Sequence, residues 1–560
     1  MMRLLLIPAV MLAMLGAAMV WSGSAAEEKA DFVFINRGEV TSLDPNRMSW
    51  MQDIRIGYAL WEGLYTIDPV TLDAIPGSAS PIDVSRDKKV YTFHIRPDAK
   101  WSNGDDLLAR DFIFSWKRML EIPGEYTYLL YYIQGAKEYQ DAFAKDFTKA
   151  DFSTVKVQEL GPKVLKVTLI HPVAPFPDIC AMPAFYPLNE KSMSKFLDRK
   201  TVEKTGGRVH QYELAFTLPP NLVTNGPYEL TKWEFKRRMR LEANKYYWDK
   251  ASIKSPIIDQ VSADDIQWAY AKYQSGGIDW IAEFDGDIAA ELYKRHFPDL
   301  HVFPAFGTYF YSFNCQPKLS DGHPNPFADV RVRQAFTMSI DKRVIVDTIT
   351  RLGQIPSTTY IPVGSFTNYV SPPGLAMNIP AARKLLAEAG YPDGKGFPPI
   401  SLLFNNESVH GPIAENIRRQ WLDNLGVDVK LEGIEIKMFR ERLHNKDYAV
   451  ARASWYGDYN DPSTFTDKYK PDSENNDSGW VNAEYAELCK KADYEPDKQK
   501  RLVYFQQAEN ILLNEAPILP IYTYVGCYLY PDYVTGIPLN PRQMLVLKSV
   551  KSTPPPGHAR

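Results

Sequence analysis

The stretch 448–462 places a carboxylate, Asp458, among aromatic residues. This stretch begins as a predicted strand that includes Arg452 and continues into a loop that contains Asp458. The loop also carries three aromatic side chains, Trp455, Tyr456 and Tyr459. Aromatic walls exclude water, and a carboxylate between them is costly unless a cation meets it. The pattern therefore indicates a site for a ligand with a positive charge, and the alternative is an ordinary solvated turn.

Motifs of the common enzyme classes are absent from the sequence. It has no phosphate-binding loop that ends in Gly-Lys-Ser/Thr, no GxSxG turn and no HExxH helix. The four cysteines, Cys180, Cys315, Cys489 and Cys527, are too widely scattered for metal-ligand spacing. We therefore expect no catalytic residue, no metal and no cofactor. A secreted glycoside hydrolase stays open as an alternative, because abundant carboxylates permit an acid–nucleophile pair.

Length and charge narrow the class of protein further. The chain has 560 residues, more than one core usually needs, so two or three domains are expected. A net charge of -4 argues against binding to nucleic acid or to a membrane surface. The 33 Tyr and 12 Trp suit a polar, water-bearing ligand site, although cores and interfaces use the same residues.

The N-terminus has the pattern of an export signal. Arg3 supplies positive charge, residues 4–20 are apolar, and residues 24–26 (SAA) fit a cleavage site. We expect residues 1–26 to be a signal peptide that is cleaved near Ala26, which would leave a mature chain starting at Glu27. The apolar run is also long enough for an uncleaved anchor.

The pattern of secondary structure changes along the chain. The early part is rich in strands, with clear alternation of apolar residues over 90–95. After about residue 306, predicted helices and strands alternate, which is typical of an α/β domain. Two of those helices, 380–389 and 412–425, are each followed by a glycine that suits a helix end.

Several stretches together resemble the periplasmic oligopeptide-binding proteins, the family 5 solute receptors of peptide ABC importers. Each stretch is weak alone, whereas their order and spacing over nearly all of the mature chain are specific. They are 39–45 (EVTSLDP), 62–64 (EGL), 91–103 (YTFHIRPDAKWSN), 111–118 (DFIFSWKR), 223–228 (VTNGPY), 247–248 (YW), 328–334 (ADVRVRQ), 385–390 (LLAEAG) and 452–462.

The resemblance implies an α/β, bilobal periplasmic-binding-protein fold. Two α/β lobes, one carrying an extra β-rich domain, would be joined by two crossing strands and would close on the ligand by hinge motion. The first lobe would comprise 27–61, 186–305 and 526–560. The inserted domain would comprise 62–185, and the second lobe 306–525.

The resemblance also implies roles for individual residues. Asp458 would pair with the α-ammonium of a peptide, because a desolvated ammonium needs a full negative charge. Arg452 and His410 would meet the peptide's C-terminal carboxylate. Main-chain groups near 454–456 and 49–51 would flank the peptide as β-like strands. The full set of expected ligand contacts is Ser49, Trp50, Met51, Tyr128, His410, Arg452, Ser454, Trp455, Tyr456 and Asp458.

The sequence departs from the family pattern at several of these positions. Leu443 stands where a basic residue is expected, and Phe310 stands where a ligand-facing tyrosine is expected. Ile436 similarly replaces a tryptophan. A disulfide of the family is missing, because Gly307 and Tyr456 occupy the places of its two cysteines. These departures leave the preferred peptide length open.

The function implied by the resemblance is that of an exported receptor without a catalytic step. It would capture short peptides in a cleft between the lobes and present them to an ABC permease in the inner membrane. We expect a periplasmic monomer that binds no nucleic acid. A receptor for another solute, an oligosaccharide or a murein peptide, is the alternative, because aromatic side chains also stack on sugars.

Overall fold

The computed structural model describes residues 27–207, 209–407, 409–471, 473–495 and 497–555. The predicted signal peptide lies outside these residues. Within these ranges, no helix combines the length and the apolar character needed to cross a membrane. All four cysteines are free; three of them are buried, and Cys315 is half-buried.

Strands occur along the whole described chain and are numbered in chain order. They are β1 (Phe32–Arg37), β2 (Tyr65–Ile67), β3 (Ala74–Pro76), β4 (Ala79–Val84), β5 (Val90–Ile95), β6 (Val157–Gly161), β7 (Val164–Thr168), β8 (Tyr228–Glu234), β9 (Arg238–Ala243), β10 (Ile257–Ala263), β11 (Trp280–Ile281), β12 (Leu300–Phe313), β13 (Ile355–Pro356), β14 (Ser401–Asn405), β15 (Lys430–Ile434), β16 (Val450–Tyr456), β17 (Ile518–Leu529), β18 (Val534–Thr535) and β19 (Lys551–Ser552).

The α-helices are numbered in the same way. They are α1 (Met51–Leu60), α2 (Ala109–Glu121), α3 (Ala136–Asp146), α4 (Phe176–Cys180), α5 (Glu190–Met193), α6 (Arg199–Lys204), α7 (Ile266–Gln274), α8 (Asp287–Lys294), α9 (Val330–Met338), α10 (Lys342–Ile345), α11 (Ile379–Glu388), α12 (His410–Leu425), α13 (Ile436–His444), α14 (Ser463–Thr466), α15 (Ala483–Tyr494) and α16 (Lys498–Glu515).

One long sheet runs through the molecule in the order β15-β14-β16-β12-β17-β11-β1-β10-β9-β8, and β13 pairs with β17. Its two central strands, β12 and β17, are the longest and pair with each other in antiparallel fashion. Beyond β12 lie strands from later in the chain, whereas beyond β17 lie strands that precede residue 282. These two strands therefore connect the two halves of the sheet.

Each half of the sheet contains parallel pairs. In the first half, β1 lies parallel to β10 and β11, and β8 and β9 form an antiparallel hairpin. In the second half, β14 lies parallel to β15 and β16, and β16 pairs antiparallel with β12. Helices separate the parallel strands in sequence, as crossover connections require. The described fold is α/β, as predicted.

A separate four-stranded antiparallel sheet, β4-β5-β7-β6, lies in the segment 62–185. Its core is continuous with that of the first half of the long sheet, since one buried cluster contains Phe34 of β1 and Phe93 of β5. The second half has its own buried clusters, which include Trp421 and Phe505. The sheets and cores support the proposed lobe boundaries, which remain a prediction.

Two clusters of ion pairs and hydrogen bonds involve residues of the stretches 39–45, 62–64 and 111–118. Arg118 of α2 forms an ion pair with Asp44 at 2.5 Å and donates to Asn46 Oδ1 at 2.7 Å. The carboxylate of Glu62 accepts from Tyr247 and Trp248 at 2.5 and 2.7 Å. These motif residues hold distant parts of the fold together and do not line the cavity described below.

The predicted bounds of the strand and of the two helices are largely confirmed. The strand at 90–95 has the predicted bounds, and the helices expected at 380–389 and 412–425 lie at 379–388 and 410–425. The glycines after them adopt positive φ, +100° at Gly390 and +72° at Gly426. The strand after the second of these helices, β15, begins only at Lys430. The reason is that Val427 still donates to Trp421 O, as part of the helix end.

Candidate functional site

A cavity of about 470 Å³ lies where the two halves of the long sheet meet. Its walls come from the start of α1, the segment after β11, the start of α12, the end of β16, strand β17 and the loop before residue 545. Residues that line it include Ser49, Trp50, Met51, Tyr58, Tyr126, Glu283, Asp285, Asp287, Arg351, His410, Tyr456, Asp458, Tyr522, Tyr524 and Arg542.

Asp458 lies in the cavity wall, two residues after the end of β16. Its backbone N–H donates to Thr464 Oγ1 at 2.8 Å, and its Oδ1 accepts from the Tyr126 hydroxyl at 3.3 Å. Burial raises the pKa of the carboxyl to about 6, although the Tyr126 hydrogen bond and the charge of Arg542 oppose the rise. Among the described residues, no cationic side chain forms an ion pair with this carboxylate. It is therefore available to a cation from a ligand.

The glycine before Asp458 lets the loop pass close to the crossing strand. Gly457 N donates to Phe306 O at 2.9 Å. A Cβ atom at Gly457 would lie 1.9 Å from the Phe306 ring, and Phe306 is buried. Only glycine fits between these two segments, so the side chain of Phe306 sets the position of the Asp458 loop.

Tyr456 also depends on a glycine. It pairs across the strands with Gly307, where a Cβ atom would lie 2.7 Å from the Tyr456 ring. The ring in turn stacks on Tyr524 of β17 at a centroid distance of 4.8 Å. The two positions noted as lacking the family's cysteines are thus cross-strand neighbours, and here an aromatic ring covers a glycine.

Arg452 lies behind this aromatic wall and is not among the residues that line the cavity. Its guanidinium lies over the Tyr309 ring at 5.1 Å and donates to the Tyr524 hydroxyl at 3.1 Å. Its Nε is buried without a hydrogen-bond partner. Within the described ranges, no carboxylate forms an ion pair with it. Arg452 is therefore a buried cation close to the cavity, but a ligand would reach it only past Tyr524.

His410 lines the cavity at the start of α12. Its Nδ1 lies 3.2 Å from the Tyr309 hydroxyl. Burial and the charge of Arg452 lower the pKa of the imidazole to about 3. His410 is therefore neutral at ordinary pH, and in the present geometry it offers a hydrogen bond to a ligand and no charge.

The structure does not place Trp455, Ser454 or Tyr128 among the residues that line the cavity, and their expected ligand contacts stay predictions. Trp455 lies on the opposite side of the strand: its Nε1 donates to Thr464 O at 2.7 Å, and Lys468 lies 4.9 Å from its ring. Ser454 pairs with Tyr309 of β12 in the strand ladder. The Tyr126 hydroxyl donates to Asp458 Oδ1, whereas the nearby Tyr128 is not among the residues that line the cavity.

The segment 49–51 reaches the cavity, but it is only in part the β-like strand that was expected, because Trp50 has extended backbone whereas Met51 begins helix α1. Ser49, Trp50 and Met51 all line the cavity. The Trp50 side chain is 45% exposed, and the guanidinium of Arg440 from α13 lies 4.7 Å from its ring. Because α13 belongs to the other half of the long sheet, this contact crosses the mouth of the cavity.

Several other residues of the cavity have no recognisable motif in the sequence. Arg542 lies 84 positions after Asp458, in an irregular loop without a motif, and reaches it only through the fold. The acidic residues Glu283, Asp285 and Asp287 follow a two-residue strand that the sequence predicted, but nothing in their spacing points to a cavity. No group of three or more potential metal ligands occurs in the described part of the chain.

Comparison with known proteins identifies the class. The family described as bacterial extracellular solute-binding proteins, family 5 Middle, matches residues 73–477. The chain belongs to this family. Family 5 proteins are solute receptors of transporters, and the predicted bilobal periplasmic-binding-protein fold is confirmed by solved structures of this class.

Three relatives illustrate the similarity of this family 5 protein. The oligopeptide-binding protein OppA of Bacillus subtilis is 33% identical over 472 residues, which cover 82% of each chain. The periplasmic oligopeptide-binding protein OppA of Escherichia coli is 31% identical over 538 residues, which cover 93% of this chain and 92% of the relative. The structure of the murein tripeptide-binding protein MppA of Escherichia coli superposes with a TM-score of 0.76 at 29% identity, covering 94% and 99% of the two chains.

Proposed function

We propose that this family 5 protein is an exported receptor that captures short peptides and delivers them to an ABC transporter without a catalytic step. The observation that carries the proposal is Asp458. A carboxylate in a cavity wall, with no ion pair from the described residues, suits a ligand that brings its own cation. The α-ammonium is the one cation that every unmodified peptide carries. The peptide-binding relatives support the same choice of ligand.

The surroundings of Arg452 support a second point of recognition. A buried guanidinium among tyrosine hydroxyls, with its Nε unpaired, suits a carboxylate. Asp458 and Arg452 are six residues apart, so their Cα atoms are separated by at most roughly 20 Å. An extended peptide rises about 3.3 Å per residue, which favours ligands of only a few residues. A peptide carboxylate would reach Arg452 directly after a movement of Tyr524, or through the neutral His410.

The strands that border the cavity suit recognition of a peptide main chain. The end of β16 reaches the cavity, and so does the segment 49–51, in which Trp50 has extended backbone just before helix α1 begins at Met51. Main-chain hydrogen bonds read no side chain, so a receptor built in this way accepts varied sequences. The proposed site of action is the periplasm, with residues 1–26 as the export signal.

Native mass spectrometry of gently purified protein tests the proposal. Denaturation should release a ladder of masses that fragment as peptides of two to five residues. A single sugar or other non-peptide adduct would instead favour the receptor for another solute, for which Trp50 and Tyr456 would provide stacking surfaces. Protein that carries no cargo and ignores an added peptide pool would contradict the proposed function.

A further inference from the structure

One residue of the crossing strand brings Asp458 and Arg542 together. Phe306 of β12 accepts from Gly457 N at 2.9 Å and donates its own N–H to Pro541 O at 2.8 Å. The charged residues Asp458 and Arg542 directly follow these two bonded positions in sequence. Their closeness is therefore fixed by main-chain hydrogen bonds to one strand residue, and not by a flexible surface contact.

The way in which Arg542 contacts Asp458 leaves the carboxylate free. Arg542 Nη2 donates to the main-chain carbonyl of Asp458, while Nη1 is buried without a hydrogen-bond partner. The side chain is only 7% exposed and lines the cavity. On the carboxylate itself, the bond from the Tyr126 hydroxyl occupies Oδ1. A positive charge thus lies beside the proposed ammonium-binding group without taking its place.

The loop that carries Arg542 is fastened to the first half of the molecule. Asn540 Nδ2 donates to Pro69 O at 3.2 Å, and Arg55 Nη2 donates to Gln543 Oε1 at 3.2 Å. Arg55 itself is held by an ion pair with Glu283 at 2.8 Å. Asp458, in contrast, belongs to the segment that follows β16 in the other half. Arg542 therefore links the proposed ammonium site to the opposite side of the cleft.

We propose that Arg542 is a positioning residue for the Asp458 carboxylate: it clamps the main chain of the Asp458 loop and keeps the carboxylate ionised for a peptide ammonium. The inference rests on the proposed function and deepens it. It gives a role to a buried cation that no ion pair within the described ranges accounts for. It also explains how a carboxylate in an aromatic wall can stay charged before the ligand arrives.

The electrostatic surroundings agree with this role. The charge of Arg542 lowers the pKa of Asp458, whereas burial and the nearby Glu125 raise it. The same cation lowers the pKa of Asp178, which burial raises to about 7. The titratable groups around this pair include Tyr58, Glu125, Tyr126, Tyr128, Asp178, Tyr186 and Tyr360. These groups are phenols and carboxyls, and Arg542 supplies the positive charge beside them.

The test measures peptide affinity as a function of pH for Arg542→Gln and Arg542→Lys. Glutamine keeps a donor for the Asp458 carbonyl but removes the charge. Lysine keeps the positive charge on a shorter side chain. With tri-alanine as the ligand, affinity of the wild type should fall as the pH drops below about 6. In Arg542→Gln the midpoint of this fall should move up by about one pH unit, because an adjacent opposite charge shifts a pKa by about 1–3 units. Arg542→Lys should keep the midpoint within about 0.3 unit, which follows from the same charge effect.

Arg351→Gln provides the matched control, because Arg351 also lines the cavity but pairs with Asp287. This variant should leave the midpoint unchanged. An unchanged midpoint in Arg542→Gln, or equal shifts in Arg542→Gln and Arg351→Gln, would overturn the inference while peptide binding by the wild type still stands. Absence of tri-alanine binding in the wild type would instead contradict the proposed function, and the positioning role with it.

Discussion

At the scale of single residues, Asp458 in the cavity wall and Arg452 behind it are two charges whose partners differ in kind. Asp458 is met by a hydroxyl and by the nearby charge of Arg542, and Arg452 is met by tyrosine hydroxyls and rings. Neither has an ion pair among the described residues. Leaving a charge desolvated and unpaired costs several kcal/mol, so each site gains from a ligand group of opposite charge. We therefore predict that a bound peptide lies with its amino end at Asp458.

The raised pKa of Asp458 predicts how affinity depends on pH. In the proposed binding mode the α-ammonium meets the ionised carboxylate, so binding requires the proton on Asp458 to leave. With a pKa of about 6 for Asp458, and an α-ammonium that loses its own proton near about pH 8, affinity should be greatest near pH 7 and roughly tenfold weaker at pH 5. Calorimetric titration with tri-alanine at several pH values measures this. A profile that is flat down to pH 5, or that strengthens towards acid, would contradict the assignment.

His410 supplies the control for that profile. Its lowered pKa, about 3, means that the imidazole does not titrate between pH 5 and 8. His410→Gln should therefore change the affinity without changing the shape of the profile. If the profile lost its acid limb in this variant, the titrating group would be His410 and not Asp458.

A buried carboxylate outside the cavity predicts a separate effect on stability. Glu509 accepts from Tyr360 N, Ile361 N and the Tyr369 hydroxyl at 3.0, 2.7 and 2.6 Å, and burial raises its pKa to about 7. Because this folded-state pKa lies above the unfolded value, the folded state binds more protons between pH 4.5 and 7. The stability from this group is present below about pH 4.5 and is lost as the pH rises to about 7.

Glu509→Gln should remove this loss, since the neutral amide can accept the two main-chain bonds on its oxygen and donate from its NH2 group to the Tyr369 oxygen. Urea unfolding at pH 5 and pH 8 should show a drop in wild-type stability that is smaller in Glu509→Gln by on the order of 2–3 kcal/mol. Glu495→Gln is a suitable control, because the Glu495 carboxylate only accepts a hydrogen bond from Asp497 N on the surface. Equal pH dependence in wild type and Glu509→Gln would contradict the account.

At the scale of elements, the site depends on how closely β12 and the end of β16 approach each other. Gly457→Ala would place a methyl group against the buried Phe306 ring. Overpacking of this kind costs about 1–3 kcal/mol and should shift the neighbouring Asp458. We expect a lower melting temperature and peptide affinity at least about tenfold weaker, corresponding to 1.4 kcal/mol or more.

Gly411→Ala is the matched control for this prediction. Gly411 lies next to His410 at the same cavity, but its added Cβ would meet only Phe404 at 3.6 Å, an ordinary contact. This variant should bind peptide like the wild type. Normal binding by Gly457→Ala would show that the loop adjusts and that Phe306 does not fix it.

Much of the secondary structure and part of the cavity lining could be predicted from the sequence. The periodic strand at 90–95 and the helices followed by glycine have local signals, and they were found within about two residues. Asp458, Tyr456 and the segment 49–51 were placed correctly at the cavity because the family resemblance covers them. Trp455 and Tyr456 are adjacent in sequence, and only the register of β16 against β12 decides which one faces the cavity.

The contact between Arg542 and Asp458 could not be predicted from the sequence. Its partner Asp458 lies far away in sequence, and the link between them passes through the backbone of Phe306. Main-chain hydrogen bonds between distant loops have no signature in residue types. The burial of Arg452 behind Tyr524 was equally out of reach, because its strand position alone does not reveal what packs in front of it.

At the scale of the whole molecule, polar contacts cross the mouth of the cleft. Arg440 lies over Trp50, and Arg351 pairs with Asp287, each joining segments predicted to belong to opposite lobes. Each such exposed contact is worth about 0.5–1 kcal/mol. Together they stabilise the closed arrangement only weakly, which suits a receptor that must open to release its ligand.

Loss of both contacts should therefore favour the open form. In Arg351→Gln/Arg440→Gln the ratio of open to closed molecules should rise by up to about tenfold, which corresponds to 1.4 kcal/mol. Small-angle scattering of the ligand-free protein should show a larger radius of gyration, and excess peptide should reverse it. Arg295→Gln, which breaks an ion pair with Glu291 inside one helix, should leave the scattering unchanged. Identical curves for the double variant and the wild type would show that these contacts do not control closure.

If Asp458 captures a peptide α-ammonium, the affinity must depend on the free amino group of the peptide. Isothermal titration calorimetry measures this dependence. Tri-alanine and N-acetyl-tri-alanine are titrated into the wild type, Asp458→Asn and Asp458→Ala, with Asp285→Asn as a control that removes a different carboxylate from the same cavity. We predict that acetylation of the ligand, or loss of the Asp458 charge, weakens binding by about 3–5 kcal/mol, a factor of hundreds to thousands. Asp285→Asn should keep the preference for the free amino group. Equal affinity of the wild type for the two ligands, or tight binding of tri-alanine by Asp458→Ala, would contradict the account.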